Sequence, residues 1–234
     1  NSEGKKLSKR DGVTSISEFK EMGYTSEAMA NYMTLLGWSV PEGINERFKI
    51  SEISEIFSFE KVNKASAKFD WDKLNWLNSQ VIHEMSPIAL LENLKPLLEK
   101  KGWKIPSQEW GENLVDLLGP SMVLINDGVD QAKPFFEDPT LNADGKKQLE
   151  IEEAKKVLKF ILEILENLDS SLFSEKQAID LVNQATKTCE VKKGLVMKSL
   201  RAALFGTLNG PDLIKSWVLL SRFSKDRSRI RRFL

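Results

Sequence analysis

The chain has 234 residues, with 34 Lys and Arg against 34 Asp and Glu, 41% apolar residues, one cysteine and one histidine. This composition supplies a real core and excludes a disordered tail, a global positive field, an internal disulfide, a cysteine-based zinc site and any motif that needs two histidines. No apolar run reaches membrane-spanning length and no signal peptide is evident, so a soluble protein of a reducing compartment is expected, in more than one module at this length.

Helix signals dominate in chain order. Ser15 three residues before Glu18 makes a capping box, and Gly23 closes the short helix of Ile16 and Phe19. Ser26 is read as the cap of a helix with Met29, Tyr32, Met33 and Leu36 at helical spacing. Trp38 to Asn45, with Pro41 and Gly43, reads as an irregular connection. Ser51 opens a short segment bearing Ile53, Ile56 and Phe57, and a further turn of helix falls near Glu60 to Asn63. Asp70 caps a helix presenting Leu74, Leu77 and Val81. Ser86-Pro87 starts the next, with Leu90, Leu91, Leu94, Leu97 and Leu98, and Pro96 inside it predicts a kink or a break.

Ser107 to Leu118 is a further helix ended by Gly119-Pro120, after which a short apolar segment, Met122 to Ile125, leads to Phe135-Phe136. Glu137 to Gly145 reads as a linker before the longest helix, whose apolar face runs Ala154, Val157, Leu158, Ile161, Leu162, Leu165 and Leu168. Ser174 and Gln177 form a second capping box. A helix from about Lys193 to Leu204, a turn through Gly210 and a helix opened by Pro211 follow. Strand signals are weak throughout, so the predicted fold class is mainly α: a helical region followed by two helical bundles.

No carboxylate pair or nucleophilic triad suggests itself, since His83 and Cys189 lie far apart in sequence. The six tryptophans fall mostly at core-like spacing. The tail arginines, Arg222, Arg227, Arg229, Arg231 and Arg232, fit two readings equally: partners for the negative end of helix dipoles, or a footprint for phosphates. At the other end, Gly4-Lys5-Lys6-Leu7-Ser8-Lys9-Arg10-Asp11-Gly12 combines cations and a hydroxyl between glycines, as a polyphosphate-holding loop requires; on charge alone it is a solvated basic terminus.

Lys6-Leu7-Ser8-Lys9-Arg10 resembles the Lys-Met-Ser-Lys-Ser signature of class I aminoacyl-tRNA synthetases, in the form typical of glutamyl-tRNA synthetases. Ser58-Phe59-Glu60-Lys61-Val62-Asn63 with Phe69-Asp70-Trp71-Asp72-Lys73-Leu74-Asn75-Trp76-Leu77-Asn78 is similar to the stretch that follows that loop in the bacterial family. Met197-Lys198-Ser199-Leu200-Arg201-Ala202-Ala203-Leu204-Phe205-Gly206, then Gly210-Pro211-Asp212-Leu213, resembles its anticodon-binding end, closest to the cyanobacterial or plastid branch.

The resemblance implies a division into residues 1–85 (signature loop and stem-contact region) and two all-helical anticodon-binding domains, 86–141 and 142–234. It implies a full enzyme that joins L-glutamate to tRNA using ATP with magnesium, in which Lys9 stabilises charge on the triphosphate while Lys6 and Ser8 shape the closed loop. By the same resemblance Arg201 and the turn of Gly210, Pro211 and Leu213 lie beside the middle and last anticodon bases. Gly119 stands where some members carry an arginine that rejects the glutamine anticodon, so both tRNA(Glu) and tRNA(Gln) are expected partners.

The companion two-histidine motif is missing, so this chain alone is expected to bind tRNA as a monomer without making glutamyl-adenylate, with neither ATP nor metal bound and with Lys6 to Arg10 loosely held. The compartment implied is the cytoplasm, or a plastid for a plant or algal source. The alternative is a stand-alone helical module that binds tRNA or recruits partners without synthetase chemistry.

Overall fold

In the computed structural model, which describes residues 15–64, 67–169 and 173–234, every named element is a helix or a helical turn. The α-helices in order are α1 (Ile16–Met22), α2 (Ser26–Gly37), α3 (Ile50–Ile53), α4 (Trp71–Glu84), α5 (Pro87–Lys100), α6 (Gln108–Leu118), α7 (Asp127–Phe136), α8 (Ala143–Leu149), α9 (Glu152–Leu165), α10 (Glu175–Thr188), α11 (Lys193–Phe205), α12 (Leu213–Ser221) and α13 (Lys225–Arg231). Among the described residues the only β pairing is an isolated bridge between Trp38 and Val62.

The residues divide into two compact units, one up to Pro106 plus Leu118–Gln131, the other Ser107–Leu117 plus Ala132–Leu234. In the first, Ser15 and Glu18 cap α1 reciprocally, and Gly23 at φ +101° ends it. α2 is capped by Thr25, whose hydroxyl accepts from the Ala28 N–H; Ser26, the expected cap, is its first helical residue. Thr25 takes the role because Asn78 also accepts from its N–H and hydroxyl, at 2.8 and 3.0 Å. Phe19, Tyr24, Met29, Tyr32, Leu74 and Leu77 form the core between α1, α2 and α4. Arg47 ties the loop before α3 to this frame, donating to Glu27 and Glu84, both at 2.6 Å.

α5 runs unbroken through Pro96. Pro96 and Glu92, whose carbonyl loses its partner to the proline ring, both face solvent, so water satisfies what the helix does not. A helix unanticipated from sequence, α7, begins where Gly128 packs on α5: a Cβ there would sit 2.8 Å from Leu94 Cδ1. Asp127 fixes the approach by accepting from the N–H groups of Val123 and Leu124.

The second unit is a bundle of α8 to α13 with all of α6 but Leu118 and the end of α7. The stretch read as a linker, Glu137 to Gly145, runs into the first turn of α8, which is capped by Asn142 accepting from the Gly145 N–H at 2.7 Å. α9 buries the expected face from Ala154 to Leu165, and at 14 residues equals α4, α5 and α10 instead of exceeding them. Trp110 donates through its indole to the Leu219 carbonyl at 3.0 Å and meets Phe135, Phe136 and Phe223 edge-on. Trp217, fully buried, donates to the buried Asp226 at 3.1 Å. Cys189, the single cysteine, caps α10 and is buried; desolvation pushes its thiol pKa up, against an opposing pull from Lys156.

Two of the five tail arginines, Arg227 and Arg229, serve helix ends, while Arg222, Arg231 and Arg232 are exposed. Arg227 donates to the carbonyl of Leu165, the last residue of α9, and to that of Leu168 beyond it, and Arg229 to Leu204 in the last turn of α11. At the end of α7, Lys225 takes Phe135 and Phe136 while Arg229 takes Pro134 and Glu137. Arg231 pairs with Glu166 and Arg232 with Asp138. All of these cations but Arg232, the C-cap, lie on α13, absent from the sequence-based reading because its residues are charged and it spans under two turns.

Asn78 gives the sharpest test of the first unit. Fully buried on α4, it also donates to the Val123 carbonyl at 2.6 Å, joining the cap of α2 to the segment before α7. Asn78→Ala leaves several buried backbone groups unpaired and is expected to lower unfolding free energy by about 2–3 kcal/mol in urea denaturation. A loss under about 0.5 kcal/mol would show that the fork carries little of the unit's stability.

Candidate nucleic-acid interface

α11 ends because Gly206 adopts φ +74°, with its N–H returning to the Ala202 carbonyl at 2.9 Å. The chain then turns through 207–212, where the Asn209 N–H donates to the Thr207 hydroxyl at 3.2 Å. Asp212 restarts the helix by accepting from the Lys215 N–H at 2.9 Å, so α12 begins at Leu213 and Pro211, read as its opening residue, stays in the turn. Asn209, Gly210, Pro211 and Asp212 are all exposed.

Arg201 stands one turn before the end of α11 and reaches this loop. An ideal Cβ on Gly210, whose φ is +147°, would lie 3.0 Å from Arg201 Nη1, so the guanidinium runs against bare backbone. Arg201 is partly buried; desolvation lowers its pKa, and the nearby Asp212 carboxylate raises it again, which leaves a guanidinium that is charged at any physiological pH. A planar cation beside an exposed turn can stack on a splayed base or donate to its edge, while the turn offers backbone groups.

Leu213 is 2% exposed, so its side chain belongs to the core and only its backbone is available to a ligand. Gly119 lies in the other unit, in a tight turn after α6, buried with Leu90 Cδ2 3.0 Å from where a Cβ would stand. Its neighbours Pro120 and Ser121 are the exposed residues of that turn. Lys6, Ser8 and Lys9, and the expectation of a loosely held loop, lie outside the described residues. Among the described residues no three His, Cys, Asp or Glu side chains come together as a metal site needs.

A family model described as an anticodon binding domain matches residues 89–234. The chain belongs to this anticodon-binding family. A second model, the catalytic domain of class I tRNA synthetases of the glutamate and glutamine type, matches residues 1–76. Over all 234 residues the chain is 81% identical to glutamate–tRNA ligase of Prochlorococcus marinus strain NATL2A and 58% identical to that of Synechococcus sp. strain CC9311, spanning 49% of each. The chain thus spans about half the length of the curated relatives it matches. A crystal structure of a glutamate–tRNA ligase from Elizabethkingia meningosepticum in complex with its amino acid superposes with a TM-score of 0.84 at 27% identity, over 98% of this chain and 48% of that one. The anticodon-binding match thus takes in Arg201 and the whole 207–212 turn.

Sequence reasoning missed Asp212, Gly206 and Asn142 as the groups that shape the anticodon-family turn. The Asn142-x-x-Gly145 spacing and the glycine closing an apolar helix were the available cues. No helix among the described residues is long and apolar enough to cross a membrane.

Proposed function

We propose that the chain is the tRNA-binding C-terminal part of a glutamate–tRNA ligase, reading the anticodon through Arg201 and the Gly210–Pro211 turn. The observation that carries this reading is the approach of the Arg201 guanidinium to Gly210, where a Cβ would stand 3.0 Å from Nη1, inside a segment matched to an anticodon binding domain. Arg201 donates to or stacks on one base, while Gly210, Pro211 and the Leu213 backbone border the next. The exposed Lys198, three residues before Arg201 on α11, is suited to a neighbouring phosphate. Residues 1–85 serve the tRNA stem and the active-site edge, and 86–141 and 142–234 the anticodon arm.

In the complete ligase, ATP with magnesium activates L-glutamate, and Lys9, with Lys6 and Ser8, stabilises the triphosphate charge. The protein acts as a monomer in the cytoplasm, or in a plastid for a plant or algal source. No arginine occurs between Leu114 and Ile125, and Gly119 has room for none without moving Leu90, so the glutamine tRNA is accepted beside the glutamate tRNA.

Arg201→Ala is expected to weaken binding of tRNA(Glu) to this chain by about tenfold or more, measured by fluorescence anisotropy at fixed salt; unchanged affinity would remove Arg201 from the interface. Wild-type affinities for tRNA(Glu) and tRNA(Gln) transcripts should agree within about threefold, and a preference above about tenfold for the glutamate tRNA contradicts relaxed anticodon choice. With His83 as the single histidine, exposed in the last turn of α4, the chain should show no glutamate-dependent ATP–pyrophosphate exchange above background, with or without tRNA. Measurable exchange overturns that expectation.

A further inference from the structure

Arg229 has no place among the groups that touch RNA, yet it is built into the frame that carries them. It is 1% exposed. Its Nη1 donates to the Leu204 carbonyl at 2.6 Å, and its Nη2 to those of Pro134 and Glu137 at 2.7 and 2.6 Å. Asp138 Oδ1 stands 3.5 Å from Nε. One planar group thus fastens the last turn of α11, three residues after Arg201, to the segment that leaves α7.

That same segment also meets the end of α11. The Asn142 N–H donates to the Gly206 carbonyl at 2.9 Å, and Asn142 Nδ2 to the Thr207 hydroxyl at 3.3 Å. The Thr140 carbonyl lies so close to Gly206 that a Cβ there would collide with it. Gly145 closes in as well, since its own Cβ would meet the Gly206 carbonyl at 2.7 Å. The end of α11 and the first residue of the 207–212 turn are therefore gripped between Arg229 and a strap that Arg229 itself anchors.

We propose that Arg229 is a positioning residue for anticodon discrimination: through Leu204 and the 134–142 strap it sets where Arg201 and the Gly210–Pro211 turn stand, without touching RNA. The proposal rests on the reading of Arg201 and that turn as the anticodon contact. Three carbonyls on two segments need a guanidinium fork; an ammonium on a flexible stem serves them without fixing their mutual geometry. A buried cation is also a costly way to gain bulk stability, and its better-attested use is to specify one arrangement among several. A misplacement of a fraction of an ångström at Leu204 is transmitted along a rigid helix end to the Arg201 fork.

The test uses the 234-residue chain as wild type, Arg201→Ala, Arg229→Lys and Arg229→Met. Each is titrated with a tRNA(Glu) transcript and with the same transcript carrying an unrelated anticodon, below the unfolding transition recorded by circular dichroism. The readout is the ratio of the two affinities, which lost stability alone does not move while the protein is folded. Wild type should favour its own anticodon by about tenfold or more. Arg229→Met should bring that ratio near one, with Arg229→Lys in between, and amide exchange should quicken across 204–213 while α9 and α10 keep wild-type protection. A folded Arg229→Met with the wild-type ratio overturns the proposal. If that variant does not fold, a wild-type ratio in Arg229→Lys overturns it instead. An Arg201→Ala chain that keeps the wild-type ratio, or a wild type without preference, overturns the anticodon reading and this proposal with it. A lost ratio in Arg201→Ala beside an intact one in Arg229→Met rejects only the positioning role.

Discussion

The second unit depends on how it disposes of the carbonyl ends of its helices. Each α-helix leaves carbonyls without intrahelical partners and a partial negative charge at its C-terminus, and burying such ends costs free energy unless donors meet them. The ends of α7, α9 and α11 meet Lys225, Arg227 and Arg229 of α13, a helix of seven residues. Desolvation lowers the pKa of Lys225 and Arg229, helped by a neighbouring arginine in each case and opposed by the carboxylate of Asp138. A chain with equal numbers of cations and anions thus turns three of its tail cations, Lys225, Arg227 and Arg229, toward helix ends, while Arg222, Arg231 and Arg232 stay exposed.

The first unit meets the same requirement with neutral groups. Asn78, Thr25 and Gly23 satisfy one another and the Val123–Ile125 segment through amides and hydroxyls. The geometry of an amide, with two donors and an acceptor on one plane, makes a junction of three segments without burying charge. Where segments come closest, side chains are absent altogether: Gly23 against Asn126 in this unit, and Gly145 against Gly206 in the other.

Much of this was legible because local chemistry decided it. The reciprocal caps at Ser15–Glu18 and Ser174–Gln177, the Asp70 cap and the α9 stripe depend on residues within one or two turns; the caps form as read, and the stripe does as far as Leu165, with Leu168 falling beyond the helix end. The failures occur where tertiary packing overrides propensity. Gly128 and Pro134 argue against a helix, yet α7 forms because Gly128 admits Leu94 and the carbonyls beyond Pro134 find Lys225 and Arg229. The nearness of Arg201 to Gly210 follows from a nine-residue separation closed by a turn, which spacing alone does not reveal. The burial of Leu213 was hidden for the same reason, since a residue at the first position of a helix faces core or solvent according to what packs beneath it.

Cys189 has a practical consequence. It is the chain's single thiol, buried where α10 ends, with its Sγ 4.0 Å from the Lys156 carbonyl of α9. Burial suppresses its thiolate, so a disulfide reagent reacts only in the fraction of time that α9 and α10 separate. The chain therefore carries its own clock for opening of that helix pair: the labelling rate, followed with and without tRNA, counts excursions from the closed bundle with no engineered probe.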